Sequence, residues 1–283
     1  PQLPGAARLS GTANRSGQTW EIDTSADLPG ETGASYRGTL TVDGSDSLLA
    51  DGRLEANVAR LSAFAALAGR PLAGAVNLVA TGQVDLLQAT FDLAANGAVT
   101  NPAFGVPTVE PLLRGTSRFD IDAARNDAGQ VSLRNVVFDG PGLDAGLSGS
   151  FGPSSGSLSY QVSVANVGLL VPDLRGPGRV TGTAERQGNA FVIDAAGQGP
   201  GGIELAARGR VTADASRLDL TTSGLVPLAL GNRFLQGRAV SGLMRFDLAV
   251  NGPPALSSLS GRVSLSDARL SDPAQNIALT GIT

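Results

Sequence analysis

The sequence contains no cysteine and no histidine, and its 21 basic residues are all arginine. The lack of cysteine excludes disulfides and thiol chemistry, and it suits an oxidising compartment such as a bacterial periplasm. The lack of histidine removes the usual base of a catalytic triad. The arginines are scattered singly among 25 acidic residues. This argues against a nucleic-acid surface, because such a surface needs a basic stripe.

Aromatic residues and long apolar runs are also scarce. Aromatic residues make up 4% of the chain, whereas hydrophobic residues make up 42%. Alanine, leucine and valine must therefore fill most of the interior, which favours a thin layered structure over a thick globule. No apolar run approaches the roughly 20 residues of a membrane-spanning helix, and no signal peptide opens the chain. Because the sequence begins at Pro1 and ends at Thr283 inside a strand-like pattern, we expect a piece of a longer protein, and any anchor or targeting segment would lie outside it.

The most frequent pattern is an alternation of apolar and polar residues, interrupted by turns that use many of the 38 glycines. Phe119 and Ile121 alternate with Asp120 and Asp122, and residues 157–164 behave alike. This period of two predicts strands with one apolar and one polar face. Roughly fourteen such strands predict an all-β fold, an elongated, curled antiparallel or solenoid-like sheet with short helical interruptions.

Three segments have apolar residues at helical spacing and predict short helices or helical turns. They are Leu61–Gly69, residues 167–175 and residues 225–235. The loop G-R-x-x-x-G that leads from the first of them into a strand recurs after the third, and more loosely after the second. This degenerate repeat predicts segments of one continuous trough. The predicted segments are 1–60, 61–166, 167–224 and 225–283.

Two glycine-rich stretches match catalytic motifs only in their letters. Residues 152–156 read G-x-S-x-G, but a nucleophile elbow needs a strand-to-helix turn and a histidine base. Residues 197–202 read G-x-G-x-x-G, but the dinucleotide motif must open a helix, and a strand pattern follows here. We interpret both as turns, and we expect no enzyme activity and no cofactor.

The charged residues of the strands are expected to lie on wet faces. Asp120 and Asp122 share one strand face, but no third ligand accompanies them, so a metal site is not predicted. Single arginines occupy polar strand positions as well and are expected to keep the outer surface wet. These arginines are Arg37, Arg118, Arg134, Arg208 and Arg245.

The chain resembles the TamB family, the periplasmic arm of the translocation and assembly module. Residues 61–78 are similar to a family signature that reads LsalaaLaGRPLaGxvxL. Further similarity covers Leu218–Leu220 with Gly224, residues 227–235, residues 242–254 and residues 259–263. The similar positions are structural rather than catalytic, and the family has no catalytic set to carry over. The membrane anchor and the C-terminal end of the family are missing from the sequence.

The resemblance implies a long sheet curled into an open trough, a β-taco, in a periplasmic protein anchored to the bacterial inner membrane. It also implies phospholipid transport between the inner and outer membranes, and support of outer-membrane protein assembly and secretion. The implied partners are phospholipid acyl chains and, through parts of the chain outside this sequence, a TamA-like outer-membrane barrel. No nucleic-acid partner is expected.

The alternating apolar residues are the candidate lining of a lipid groove, because an apolar sheet face without a second layer is costly in water. They are Leu40, Val42, Leu54, Val76, Leu78, Phe91, Leu93, Phe119, Ile121, Tyr160, Val162, Val164, Phe191, Ile193, Ile203, Leu205, Leu218, Leu220, Met244, Phe246, Leu248, Val263 and Leu265.

Two other interpretations remain open. The same strands could form a structural or adhesive solenoid with a dry core, in which these side chains pack against a second sheet. The strands could also receive outer-membrane β-proteins by strand addition, which is compatible with the lipid groove.

Overall fold

A computed structural model describes residues 6–44, 46–172, 174–235 and 237–282. The chain divides into two compact units, Pro1–Pro153 and Ser154–Thr283. The two chain ends that suggested a longer protein, Pro1–Pro4 and Thr283, lie outside the described residues, as does Asp173 in the loosest copy of the loop repeat. The four segments predicted from the loop repeat are not tested by this division and stay a prediction.

The first unit is an antiparallel meander in which each strand pairs with the next. Its strands are β1 Arg8–Ser16, β2 Thr19–Leu28, β3 Thr32–Asp43, β4 Ser47–Val58, β5 Ala73–Asp85, β6 Thr90–Ala103, β7 Thr116–Arg125, β8 Val131–Asp139 and β9 Leu143–Phe151. Their sequences combine β-branched and other apolar residues on one side with Ser, Thr, Asp and Arg on the other, as a half-solvated strand requires.

The second unit is a meander of the same kind. Its strands are β10 Ser155–Val164, β11 Gly178–Gln187, β12 Ala190–Gly199, β13 Ile203–Thr212, β14 Leu218–Pro227, β15 Ala239–Gly252, β16 Leu259–Asp272 and β17 Ile277–Ile282. The predicted all-β, antiparallel fold class is therefore confirmed. Strands outnumber the prediction partly because bulges hide the alternation, as between Leu133 and Val136 in β8.

Short helical pieces interrupt the strands, as predicted. They are Leu61–Phe64 with Ala65–Ala68, Glu110–Leu113, Val167–Leu169, Pro200–Gly202, Leu228–Phe234 and Leu256–Ser258. The predicted helix at 61–69 is confirmed, and Gly69 ends it with a left-handed φ of 65°. The third predicted segment starts three residues too early, because Leu225, Val226 and Pro227 pair with β15 as the end of β14.

The predicted loop repeat has a structural counterpart in two bulges. The pairing register shifts between Ala73 and Ala75 and again between Ser241 and Leu243. The glycines inside these bulges, Gly74 and Gly242, have φ values of 99° and 111°. Glycine is required there because positive φ strains any other residue and because a side chain would strike the neighbouring strand.

Within each unit, most helical pieces lie at one edge of the sheet. In the first unit they follow β4 and β6, and in the second unit they follow β10, β12 and β14. Alternate connections of a meander lie at the same end of its strands. We call the boundary of the sheet at these strand ends the helical edge, and the boundary at the opposite strand ends the hairpin edge. Leu256–Ser258 is the exception, since it follows β15 at the hairpin edge.

The buried apolar core is small. Its described members are Val58, Val99, Leu112, Leu113, Ala123 and Ala268. Several of them sit near helical pieces: Val58 precedes the turn at Leu61, and Leu112 and Leu113 belong to the turn after β6. The helical pieces of the first unit thus cover only the margin of its sheet. No described helix is long and apolar enough to cross a membrane.

Candidate functional site: an apolar face on each unit

The apolar face of the first unit is defined by cross-strand pairing, because directly paired residues point to the same side of an antiparallel sheet. Leu54 pairs with Ala80, Gly97 pairs with Phe119, and intervening pairs link these strands. Every lining residue predicted for this unit falls on that one face: Leu40, Val42, Leu54, Val76, Leu78, Phe91, Leu93, Phe119 and Ile121.

The second unit has an equivalent apolar face. Val162 pairs with Val180, and Phe246 pairs with Val263. The registers again bring every predicted lining residue of the unit to one side: Tyr160, Val162, Val164, Phe191, Ile193, Ile203, Leu205, Leu218, Leu220, Met244, Phe246, Leu248, Val263 and Leu265.

Neither apolar face is covered by a second layer of the described chain. None of the predicted lining residues is buried. Val42, Leu54, Ile121, Leu205 and Val263 expose between 36% and 56% of their surface. A dry core would bury such side chains almost completely. Both faces therefore present a contiguous apolar surface of the kind that marks a binding site.

The faces extend beyond the residues predicted from the sequence. The registers add Trp20, Ile22, Leu48, Val84, Val136, Phe138, Leu147 and Phe151 in the first unit, and Leu158, Val180, Val211, Val226, Val250 and Leu259 in the second. Trp20 and Ile22 alternate with acidic residues and could have been found from the sequence. The bulge in β8 concealed Val136 and Phe138.

Several glycines on these faces lie where a side chain would strike the neighbouring strand. Gly38, Gly52 and Gly82 pair across three adjacent strands. A Cβ atom on Gly38 would lie 2.2 Å from the carbonyl oxygen of Asp51 and 2.7 Å from the Tyr36 hydroxyl. The Tyr36 hydroxyl thus occupies the space that a side chain at position 38 would need. Its burial and, to a smaller extent, the charge of Asp51 raise the pKa of Tyr36.

The opposite faces are polar, as predicted, and carry cross-strand ion pairs. Asp23 and Arg37 approach to 2.7 Å in the first unit, and Asp194 and Arg208 approach to 2.9 Å in the second. These side chains are more than half exposed, so the pairs add little stability and mainly keep the faces wet.

The predicted wet-face carboxylates Asp120 and Asp122 have partners on the polar face. Asp122 accepts a hydrogen bond from Nε of Arg134 at 2.7 Å, and Asp120 accepts one from Asn135 at 2.8 Å. Arg134 also pairs with Asp92 and holds the pKa of that carboxyl below its usual range. The ranges that the structure describes contain no group of three or more potential metal ligands.

The two stretches whose sequences match catalytic motifs, residues 152–156 and 197–202, both adjoin or enter strands. Residues 152–154 connect β9 to β10, and residues 155–156 already belong to β10, so no helix follows this stretch. In the second stretch the interpretation as a turn is only partly right. Gly197–Gly199 complete β12, Pro200–Gly202 form a helical turn, and β13 begins at Ile203. Neither stretch has the geometry that its motif would need for chemistry.

Comparison with known proteins adds no relative, since no family model, no curated protein and no solved structure matches the chain.

Proposed function

We propose that the apolar faces bind the acyl chains of phospholipids, and that the protein is a non-enzymatic periplasmic portion of a TamB-like envelope protein. In this role it conducts phospholipid between the inner and outer membranes and supports outer-membrane protein assembly and secretion. The observation that carries the proposal is a contiguous apolar face in each unit that no second layer of the described residues covers. In this proposal, parts of the chain outside this sequence supply the inner-membrane anchor and contact a TamA-like outer-membrane barrel.

The composition of the faces suits a ligand that moves. Acyl chains require only apolar contact, and exposed apolar surface is costly by about 25 cal/mol per Å² until something covers it. The lining is largely Val, Leu, Ile and Ala, with few polar groups that could fix one orientation. Such a surface offers many similar weak contacts, so a lipid can leave each position as readily as it enters.

The competing interpretation, a structural or adhesive solenoid with a dry core, is disfavoured by exposure. In a dry core the predicted lining would pack against a second sheet, but Leu205 and Val263 expose 47% and 56% of their surface. Strand addition by outer-membrane β-proteins stays a compatible hypothesis.

Site-specific photo-crosslinking tests the proposal. Probes at Phe119, Val162 and Phe246 lie on the apolar faces, and matched probes at Asp120, Ser163 and Asp247 lie one residue further on, on the polar faces. In bacterial envelopes we expect the first three to capture phospholipid and the matched three to capture little. Equal capture by both sets, or none by either, would contradict the lipid groove.

A further inference from the structure

On strands β1–β15 the apolar faces carry charge at three described positions, and each of them is an arginine; on β16 the side of Leu270 also carries Asp272, which pairs with Arg238. In β1–β9 the registers place Arg15 and Arg125 on the apolar side, and no other described charged residue joins them there. In β10–β15 Arg186 lies on the apolar side, and it is the one charged residue that the described part of these strands places there. Acidic residues outnumber basic ones in the chain, 25 to 21, so chance placement does not favour arginine.

Each of these arginines has an aromatic residue directly opposite on a neighbouring strand. The pairs are Arg15 with Trp20, Arg125 with Phe91, and Arg186 with Phe191. The guanidinium carbon of Arg15 lies 5.5 Å from the centroid of the Trp20 ring. An aromatic face holds a guanidinium in place while leaving its N–H groups at the rim of the ring.

All three pairs lie at the hairpin edge of their unit, where the apolar face ends. Nε of Arg15 donates to the carbonyl of Gly17 at 2.9 Å, and Nε of Arg186 donates to that of Gly188 at 3.2 Å. Arg125 donates to the carbonyl of Ala89. At Arg15 the two terminal nitrogens make no hydrogen bond to the described part of the chain. These contacts fix a cation at the margin between the apolar face and water.

Two of the three pairs belong to an internal repeat. Residues 8–23 and 179–194 both follow the pattern R-x-x-G-T-A-x-R-x-G-x-x-(W/F)-x-I-D. The repeat continues through P-G at 29–30 and 200–201 to R-G at 37–38 and 208–209. In both copies the second arginine of the pattern pairs with the aromatic residue. The chain thus builds the same cation and ring into an apolar face of each unit.

We propose that Arg15, Arg125 and Arg186 hold the phosphate of a phospholipid whose acyl chains lie on the adjoining apolar face. The proposal rests on the lipid-binding function proposed above and adds the headgroup class and its position at the hairpin edge. A guanidinium matches a phosphodiester because it can donate two parallel hydrogen bonds to its oxygens. An anionic group attached to apolar chains is the ligand that a cation beside an apolar surface complements.

Matched lipids test this inference on the 283-residue chain. Vesicles of neutral carrier lipid contain either dioleoylphosphatidylglycerol or dioleoylglycerol, which share their acyl chains and differ by the phosphate headgroup. Protein-bound lipid is quantified after the protein is separated from the vesicles. The triple variant R15Q/R125Q/R186Q is compared with R37Q/R208Q/R245Q, which removes the same charge from the polar faces.

We expect the unaltered protein and the polar-face variant to prefer phosphatidylglycerol by about tenfold, and the apolar-face variant to lose this preference while still binding dioleoylglycerol. If the arginines only fasten hairpin turns, thermal unfolding changes but the ratio of the two lipids does not, which overturns the inference. A protein that binds both lipids equally also overturns it and leaves the lipid groove intact. A protein that binds neither lipid overturns the proposed function as well.

Discussion

At the scale of single residues, two buried aspartates organise tight turns in the same way. Asp85 and Asp272 each begin a stretch that reads D-x-x-Q and is followed by a residue with positive φ. Asp85 accepts hydrogen bonds from the backbone N–H groups of the residues two and three further on, both at 3.0 Å. Asp272 does the same at 3.1 and 3.2 Å. Such bonds favour the ionised carboxylate.

These hydrogen bonds predict a loss of stability in acid. The backbone N–H of Gln88 and the hydroxyl of Ser47 lower the pKa of Asp85, and Arg238 is the main cause of the lowered pKa of Asp272. A carboxyl whose pKa is lower in the folded state stabilises the fold above its unfolded pKa of about 3.9, and this contribution is lost as pH falls through the folded value. The free energy of unfolding should therefore decrease below about pH 4.

The variant Asp85→Asn isolates this effect, because it cannot ionise. We expect it to be less stable than the unaltered chain at pH 7 and to lose less stability between pH 7 and pH 3, measured by urea unfolding. Asp219→Asn is the control, since the Asp219 carboxylate makes no hydrogen bond to the described residues. An acid dependence of Asp85→Asn equal to that of the unaltered chain would contradict the assignment.

At the scale of elements, the strands depend on glycine where they approach each other closely. On β3 the two glycines Gly33 and Gly38 differ sharply in their surroundings. A Cβ atom on Gly38 would meet backbone atoms of β4 at 2.2 and 2.6 Å, whereas one on Gly33 would meet nothing within 4 Å. Strand pairing therefore requires glycine at position 38 and tolerates alanine at position 33.

The substitution Gly38→Ala should lower the free energy of unfolding by about 1–3 kcal/mol, because backbone must move to admit the methyl group. Gly33→Ala, in the same strand, should leave it unchanged or raise it slightly, because alanine restricts the unfolded chain. Urea unfolding of both variants checks the pair of expectations. Equal effects of the two substitutions would show that close approach of β3 and β4 is not what requires Gly38.

At the scale of the whole molecule, the same two-faced design recurs in both units. Each unit has a polar face with an Asp–Arg pair and an apolar face over which the described residues place no second layer. The repeat at residues 8–23 and 179–194 shows that part of this likeness is written in the sequence. The described residues bury few of the side chains on these apolar faces, so most of each face stays available to a ligand.

A charged side chain placed in the middle of an apolar face should therefore block the transfer of phospholipid without unfolding the chain. Val162→Arg is expected to reduce the transfer of a fluorescent phospholipid between vesicles by about tenfold or more, because an unpaired guanidinium on the acyl path must be desolvated. Ser159→Arg places the same side chain on the polar face of β10 and should leave transfer unchanged. Unimpaired transfer by the folded Val162→Arg protein would count against the groove.

Much of this arrangement could be predicted from the sequence, and the misses have physical causes. The helical turn at 61–69 was predictable because its apolar spacing and its terminal glycine are both local signals. Within residues 197–202, which were predicted to form a turn, Gly197 to Gly199 instead complete β12. Pairing with β13 holds them there, although glycine by itself does not favour a strand. Bulges, which depend on a partner strand, concealed Val136 and Phe138.

The sequence by itself determined which side chains share a face. Successive side chains of a strand point to opposite sides whatever the strand pairs with, so the alternation around Phe119 and Val162 was sufficient. Only the tertiary structure decided that these faces remain uncovered, because burial depends on what packs above a sheet. It also decided that Arg125 lies beside Phe91, since the register between strands is set by pairing across distant parts of the chain.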